Sequence, residues 1–110
     1  MANTFKNAAL ADVSNSSYAT LYTCPSGTQT VVLGLAVANK TTNAVTVQVQ
    51  FRDTSATADF QLLENVSIPA NTTLETLAGQ KYILEATDIL KVKAGTASAI
   101  DVVMGLMEKA

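Results

Sequence analysis

The sequence predicts an all-β domain, a single antiparallel β-sandwich of Ig-like or jelly-roll-like type with roughly eight short strands. Three observations carry this. Apolar residues recur at every second position over several segments, turn-forming clusters separate those segments at near-regular spacing, and no stretch repeats with a helical period. At 110 residues the chain has the size of one domain with one core. The sandwich itself is expected over 17–110, preceded by an N-terminal arm or edge strand over 1–16.

Within the arm, Asn7 to Ala11 reads as a strand or a short helix. Ser17 to Cys24 alternates Tyr18, Thr20, Tyr22 and Cys24 with Ala19, Leu21 and Thr23, and stops at Pro25-Ser26-Gly27, a turn sequence. Thr28 to Ala38 follows, with Val31, Leu33, Leu35 and Val37 on one expected face and Val32, Gly34, Ala36 and Ala38, the smaller set, on the other. The polar loop Asn39 to Asn43 has the length of a hairpin connection to the clearest strand, Ala44 to Asp53, where Val45, Val47, Val49 and Phe51 alternate with polar residues.

Asp53 to Asp59 reads as an exposed loop. Beyond it, Phe60-Gln61-Leu62 and Val66-Ser67-Ile68 share one phase, but Glu64 falls on their apolar parity. Either a bulge shifts the register near Leu63 or Glu64 lies at an interface. Pro69 to Thr72 is a turn, Thr73 to Leu77 a short strand, and Gly79 a break before strands near Gln80 to Glu85 and Asp88 to Ala94. The last segment, Ala97 to Glu108, sets Ile100, Val102, Met104 and Leu106 on one parity and Val103 and Met107 on the other, so it is apolar on both faces.

The composition limits the function. The chain is 48 % hydrophobic but only 15 % charged, against roughly 25 % in a typical soluble domain. A surface so poor in Lys, Glu and Asp resembles a buried interface and points to a component of an assembly. A net charge of −2 without a basic cluster predicts neither nucleic-acid nor anionic-membrane binding. No signal-peptide pattern is visible in the first residues, and the single Cys24 excludes an internal disulfide, which together suit a protein made in a reducing cytosol.

Histidine is absent, so His-based catalysis and His-containing metal sites are excluded within one chain. Cys24 has no base near it in sequence and reads as a small buried or half-buried side chain. The acids sit at expected turns and strand ends, where solvated carboxylates are ordinary, and the Asp53 to Asp59 loop lacks a calcium-loop pattern. No catalytic residue, cofactor or metal ligand is therefore expected. Tyr18 and Tyr22 share a strand parity and form either an aromatic stripe for a glycan or packing against a neighbour.

Thr20-Leu21-Tyr22-Thr23-Cys24-Pro25, the Val-rich strand after it, Leu62-Leu63-Glu64-Asn65-Val66-Ser67-Ile68-Pro69-Ala70 and Ile83-Leu84-Glu85-Ala86-Thr87-Asp88 carry a resemblance. In that order the motifs resemble small structural proteins of tailed bacteriophages, over roughly Ser17 to Glu108. The resemblance implies a virion protein made in the host bacterial cytoplasm, either a capsid decoration (cement) protein or a neck, tail or head-fibre accessory module binding host glycan or receptor. The expected partners are a major capsid protein or other virion protein and further copies of the chain, taken as a homotrimer. The expected contact residues are Phe5, Leu10, Tyr18, Tyr22, Leu35, Val103 and Met107.

Overall fold

The computed structural model describes residues 3–77 and 81–109. Alternation becomes nine strands: β1 (Asn3–Leu10), β2 (Ala19–Thr23), β3 (Gln29–Asn39), β4 (Val45–Asp53), β5 (Ala58–Ile68), β6 (Thr73–Glu75), β7 (Tyr82–Leu84), β8 (Ile89–Ala94) and β9 (Ile100–Lys109). They form two antiparallel sheets. Sheet I has the order β1-β9-β3-β6, with β7 continuing the β6 edge along β3, and sheet II has the order β2-β8-β4-β5.

The pairing is nested. First strand pairs with last (β1 with β9), the second with the next to last (β2 with β8), β3 with the β6/β7 edge, and β4 with β5. Winding a long antiparallel ribbon into two facing sheets in this manner defines a jelly roll. Of the two sandwich types expected, the topology is the jelly-roll one, with nine strands because β6 and β7 divide one edge.

The core between the sheets is made by the inward parities: Val45, Val47 and Val49 from β4, Leu90 and Val92 from β8, and Ile100, Val102, Met104 and Leu106 from β9 are all buried. Removing these side chains from water, at about 25 cal/mol per Å², is the main force holding the sheets together. Asn7 to Ala11, open between helix and strand, falls largely in β1. The break expected at Gly79 and the start of the strand expected from Gln80 lie outside the described residues.

Two expectations are corrected by the register. Along β3, Val32 pairs with Leu106 and Gly34 with the adjacent Gly105, so Leu33 is an extra, bulged residue. The inward face is therefore Thr30 and Val32 before the bulge and Leu35, Val37 and Asn39 after it, and no single parity runs through the strand. In β2, Leu21 is likewise the extra residue between Thr20 and Tyr22. The bulge near Leu63 is present: Glu64 and Asn65 together face Gln48 between the pairs Val47–Val66 and Val49–Leu63, and Asn65 adopts φ 50°.

The loop 39–43 is no hairpin, because β3 and β4 lie in different sheets. It crosses the end of the sandwich and is held there by Asn39, only 2 % exposed. The Asn39 amide donates to the carbonyls of Asn43 (2.8 Å), Ile68 (3.0 Å) and Pro69 (3.2 Å), and its oxygen accepts from the Thr41 backbone N–H (2.9 Å). At the opposite end Asp88, also 2 % exposed, accepts from the backbone N–H groups of Thr54 (3.1 Å) and Glu85 (2.9 Å). Each carbonyl that loses its donor in the interior is destabilising by about 1–3 kcal/mol. Asn39→Ala is therefore expected to lower the unfolding free energy by about 2–4 kcal/mol, measured by urea denaturation, with no change of secondary structure by circular dichroism.

Candidate functional site

The two outer faces of the sandwich differ in chemistry. That of sheet II carries Gln48, Gln50, Arg52, Lys91 and Lys93 on the outward parities of β4 and β8. Asp59 bridges Lys91 (3.1 Å) and Arg52 (3.3 Å), and Lys93 lies over the Tyr18 ring. The face of sheet I carries apolar rows, with Asn7 and Glu75 as polar residues between them. Register places Met107 opposite Phe5 on one side and Val31 on the other, and Val31 opposite Ile83.

Phe5, Met107, Val31 and Ile83 thus form one row across all four strand positions, with Phe5 73 % and Ile83 54 % exposed. The row beside it is Asn7, Gly105 and Gly34, low at the two glycines with the Glu75 carboxylate beside Gly34, and the bulged Leu33 (42 % exposed) lies next to it. Ala9, Val103 (53 % exposed) and Ala36 make the next row. Exposed Phe5, Leu33, Ile83 and Val103 gathered on one sheet face mark an interaction surface. At the Phe51 end of the sandwich an apolar cleft of about 120 Å³, lined by Phe51, Leu62, Tyr82, Ile83 and Leu90, opens next to this row.

Of the expected contact residues, Phe5, Val103 and Met107 are brought together here. The others are not. Leu35 is a core residue at 1 % exposure and has no surface to offer, because the Leu33 bulge turns it inward. Leu10 is half-buried and packs against the core. Tyr18 and Tyr22 make no stripe. Tyr18 lies among the polar groups of sheet II, bonded to Gln48 (3.1 Å) and Gln61 (2.8 Å), with Lys93 5.9 Å above its ring, whereas the Leu21 bulge turns Tyr22 against the core.

The Tyr22 hydroxyl meets Thr30 (2.9 Å) and donates to Glu108, whose other oxygen pairs with Lys6 (2.9 Å). One cluster therefore ties β1, β2, β3 and β9 together on the inner side of sheet I, behind the apolar face. Burial, then the Glu108 hydrogen bond, pushes the Tyr22 phenol well above its usual value. The Tyr22 hydroxyl and then Lys6 hold Glu108 below the usual carboxylate range.

Sequence alone missed Val31 and Ile83 as surface residues. Ile83 sits in a strand of three residues, too short for alternation to show. Asp53, Glu85 and Asp88 bring carboxylate oxygens within 4.8 Å of one another. Asp88 is buried, unlike the solvated acid expected at a turn, and each of its oxygens already accepts a backbone N–H. Cys24 is fully buried, as expected, donating to the Thr28 carbonyl (3.3 Å) and accepting from Thr30 (3.2 Å).

No family model matches the sequence, and no curated protein matches it. Among solved structures, a chain of a Bacillus endospore appendage, described as a novel family of disulfide-linked pili, is similar with a TM-score of 0.52 at 12 % identity, over 96 % of this chain and 85 % of that one. That likeness is one of fold. More distant are chains of infectious bursal disease virus, strain Gx (TM-score 0.46, 5 % identity, 98 % of this chain and 37 % of that one), and of its VP2 subviral particle (TM-score 0.46, 10 % identity, 96 % and 32 %). The chain spans about a third of each.

Glu108, with its lowered pKa, contributes stability that is present above the ordinary carboxylate value of about 4.3 and is lost as pH falls through its folded value. Tyr22, with its raised pKa, contributes stability lost as pH rises past about 10. Glu108→Gln is expected to lower the melting temperature at pH 7 and to make the acid limb of the stability profile shallower. Asp53 and Asp101, also held low by hydrogen bonds, keep part of that limb. An acid limb as steep as in the parent protein would contradict the assignment. Cys24 is expected to resist alkylation in native protein and to react on unfolding, followed by mass spectrometry.

Proposed function

We propose that this chain is a non-enzymatic structural subunit that works by having the outer face of sheet I covered, and that it serves as a decoration (cement) protein on a tailed-phage head. The observation that carries this is the contrast between the two outer faces: ion pairs and amides on sheet II, and the Phe5–Met107–Val31–Ile83 row on sheet I. Apolar area covered by a partner binds without desolvating buried charges. The polar face of sheet II would then remain toward solvent.

The motif order shared with phage structural proteins supports the virion setting, and the pilus protein of like fold is itself an assembled subunit. The partner on this reading is the major capsid protein, reached from the outer surface of the particle. A neck, tail or head-fibre module binding host glycan is the competing assignment. It has lost Tyr22 and rests on Tyr18 near a polar cleft of about 260 Å³ lined by Asn15, Gln48, Asn65 and Lys93.

Quantitative mass spectrometry of purified virions separates the two, with hundreds of copies expected per particle; a dozen or fewer would place the chain at the neck, tail or fibre. Phe5→Lys and Val103→Lys, both at exposed positions, are expected to leave the melting temperature within a few degrees and to abolish incorporation into particles. Normal incorporation of both variants would remove sheet I from the binding account.

A further inference from the structure

Sheet I and sheet II have four edges between them, and three are guarded against pairing with another chain. β5 carries two register irregularities along its pairing with β4. β2 is five residues long with one bulge. The β6/β7 edge consists of two strands of three residues. Short, bulged or interrupted edges are how sheets avoid templating further strands. β1 is neither short, bulged nor interrupted: its eight residues pair with β9 without a break in register, it contains no proline, and among the described residues no strand borders its other side; its one guard is Lys6, mid-strand.

We infer that the free edge of β1 is a strand-pairing site for β1 of a second copy, joining two sheets I around a two-fold axis. The inference deepens the assembly reading above and rests on it. A second copy is the occupant because the edge offers no net charge to attract an oppositely charged partner and can meet itself without repulsion in a register that keeps its lysine away from its own copy. Its one charged residue, Lys6, is neutralised within its own subunit by Glu108 at 2.9 Å. Antiparallel pairing around a two-fold perpendicular to the sheet keeps outward residues opposite outward ones, so one residue must face its own copy.

Self-pairing at Lys6 sets like charges directly opposite and is disfavoured. Self-pairing at Phe5 or Ala8 leaves more of the strand unpaired. With Asn7 on the axis, Thr4 through Leu10 all find partners, Lys6 lies opposite Ala8, and Phe5 lies over Ala9 of the other subunit. The apolar faces of the two sheets then lie on the same side and become one surface. This is a two-fold contact, where the sequence alone suggested three-fold association.

A single strand pair about 25 Å long falls well short of the roughly 1,200 Å² that a standing dimer buries. Free chains should therefore pair weakly, and the contact should last where many copies are held close together.

Cysteine cross-linking of the full-length chain reads the register directly. Asn7→Cys is expected to give a disulfide dimer under mild oxidation, whereas Lys6→Cys and Ala8→Cys link when mixed with each other and not alone. Because position 7 is exposed, charge variants give a second reading: Asn7→Lys and Asn7→Asp should each lose the concentration-dependent dimer in sedimentation equilibrium, and mixing them should restore it. Absence of cross-linking at Asn7, self-linking at Lys6, or no rescue on mixing overturns the inference. Particles that incorporate Asn7→Lys at the parent level, together with no dimer in the parent chain, overturn the pairing while leaving the assembly function standing. Phe5→Lys chains that still cross-link through Asn7→Cys but fail to enter particles support the pairing as a separate contact.

Discussion

Strand β9 has to satisfy two apolar environments at once, and the rest of the molecule is arranged around that requirement. It lies between β1 and β3 in sheet I. Its inward parity, Ile100 to Leu106, is sealed against sheet II, while Val103, exposed, and Met107, half-buried, point the other way. β3 matches this only because the Leu33 bulge exchanges its faces, putting Leu35 and Val37 into the core and leaving Gly34 and Ala36 outside. Without that extra residue, one half of β3 would present its large side chains to the wrong side of the sheet.

The same constraint explains where polar groups were placed. Crossing from one sheet to the other leaves backbone carbonyls at one end of the sandwich and backbone N–H groups at the other, and burying them unpaired is unfavourable. Asn39 at one end and Asp88 at the other satisfy those backbone groups and fix the crossings. The Tyr22–Glu108–Lys6 cluster then anchors β1 to the sandwich, so the edge strand is held in register. The nested order of strands delivers β1, β9 and β3 side by side although they come from both ends of the chain.

Much of this was legible from residue order. β4 and β8 alternate cleanly, β9 shows its two apolar parities, and Glu64 on the wrong phase announced the bulge in β5, all because a half-buried strand enforces period two. Where the reading failed, a single inserted residue was responsible: Leu33 and Leu21 each flip the parity downstream, which buried Leu35 and separated Tyr18 from Tyr22. The loop after Asn39 has hairpin chemistry, but its strands belong to different sheets, a matter of long-range pairing that local sequence does not carry. The candidate face was half visible, through Phe5, Val103 and Met107. Its remaining members, Val31 and Ile83, depend on cross-strand register and could not be placed beside them from spacing.

Hydroxyl-radical footprinting of the chain, free and incorporated in purified particles, tests most directly whether the outer face of sheet I is covered in the working state. The account predicts that Phe5, Met107 and Ile83 lose most of their labelling on incorporation while Tyr18, on the outer face of sheet II, keeps its own. Equal labelling of Phe5 and Met107 in both states, or protection confined to Tyr18, would contradict it.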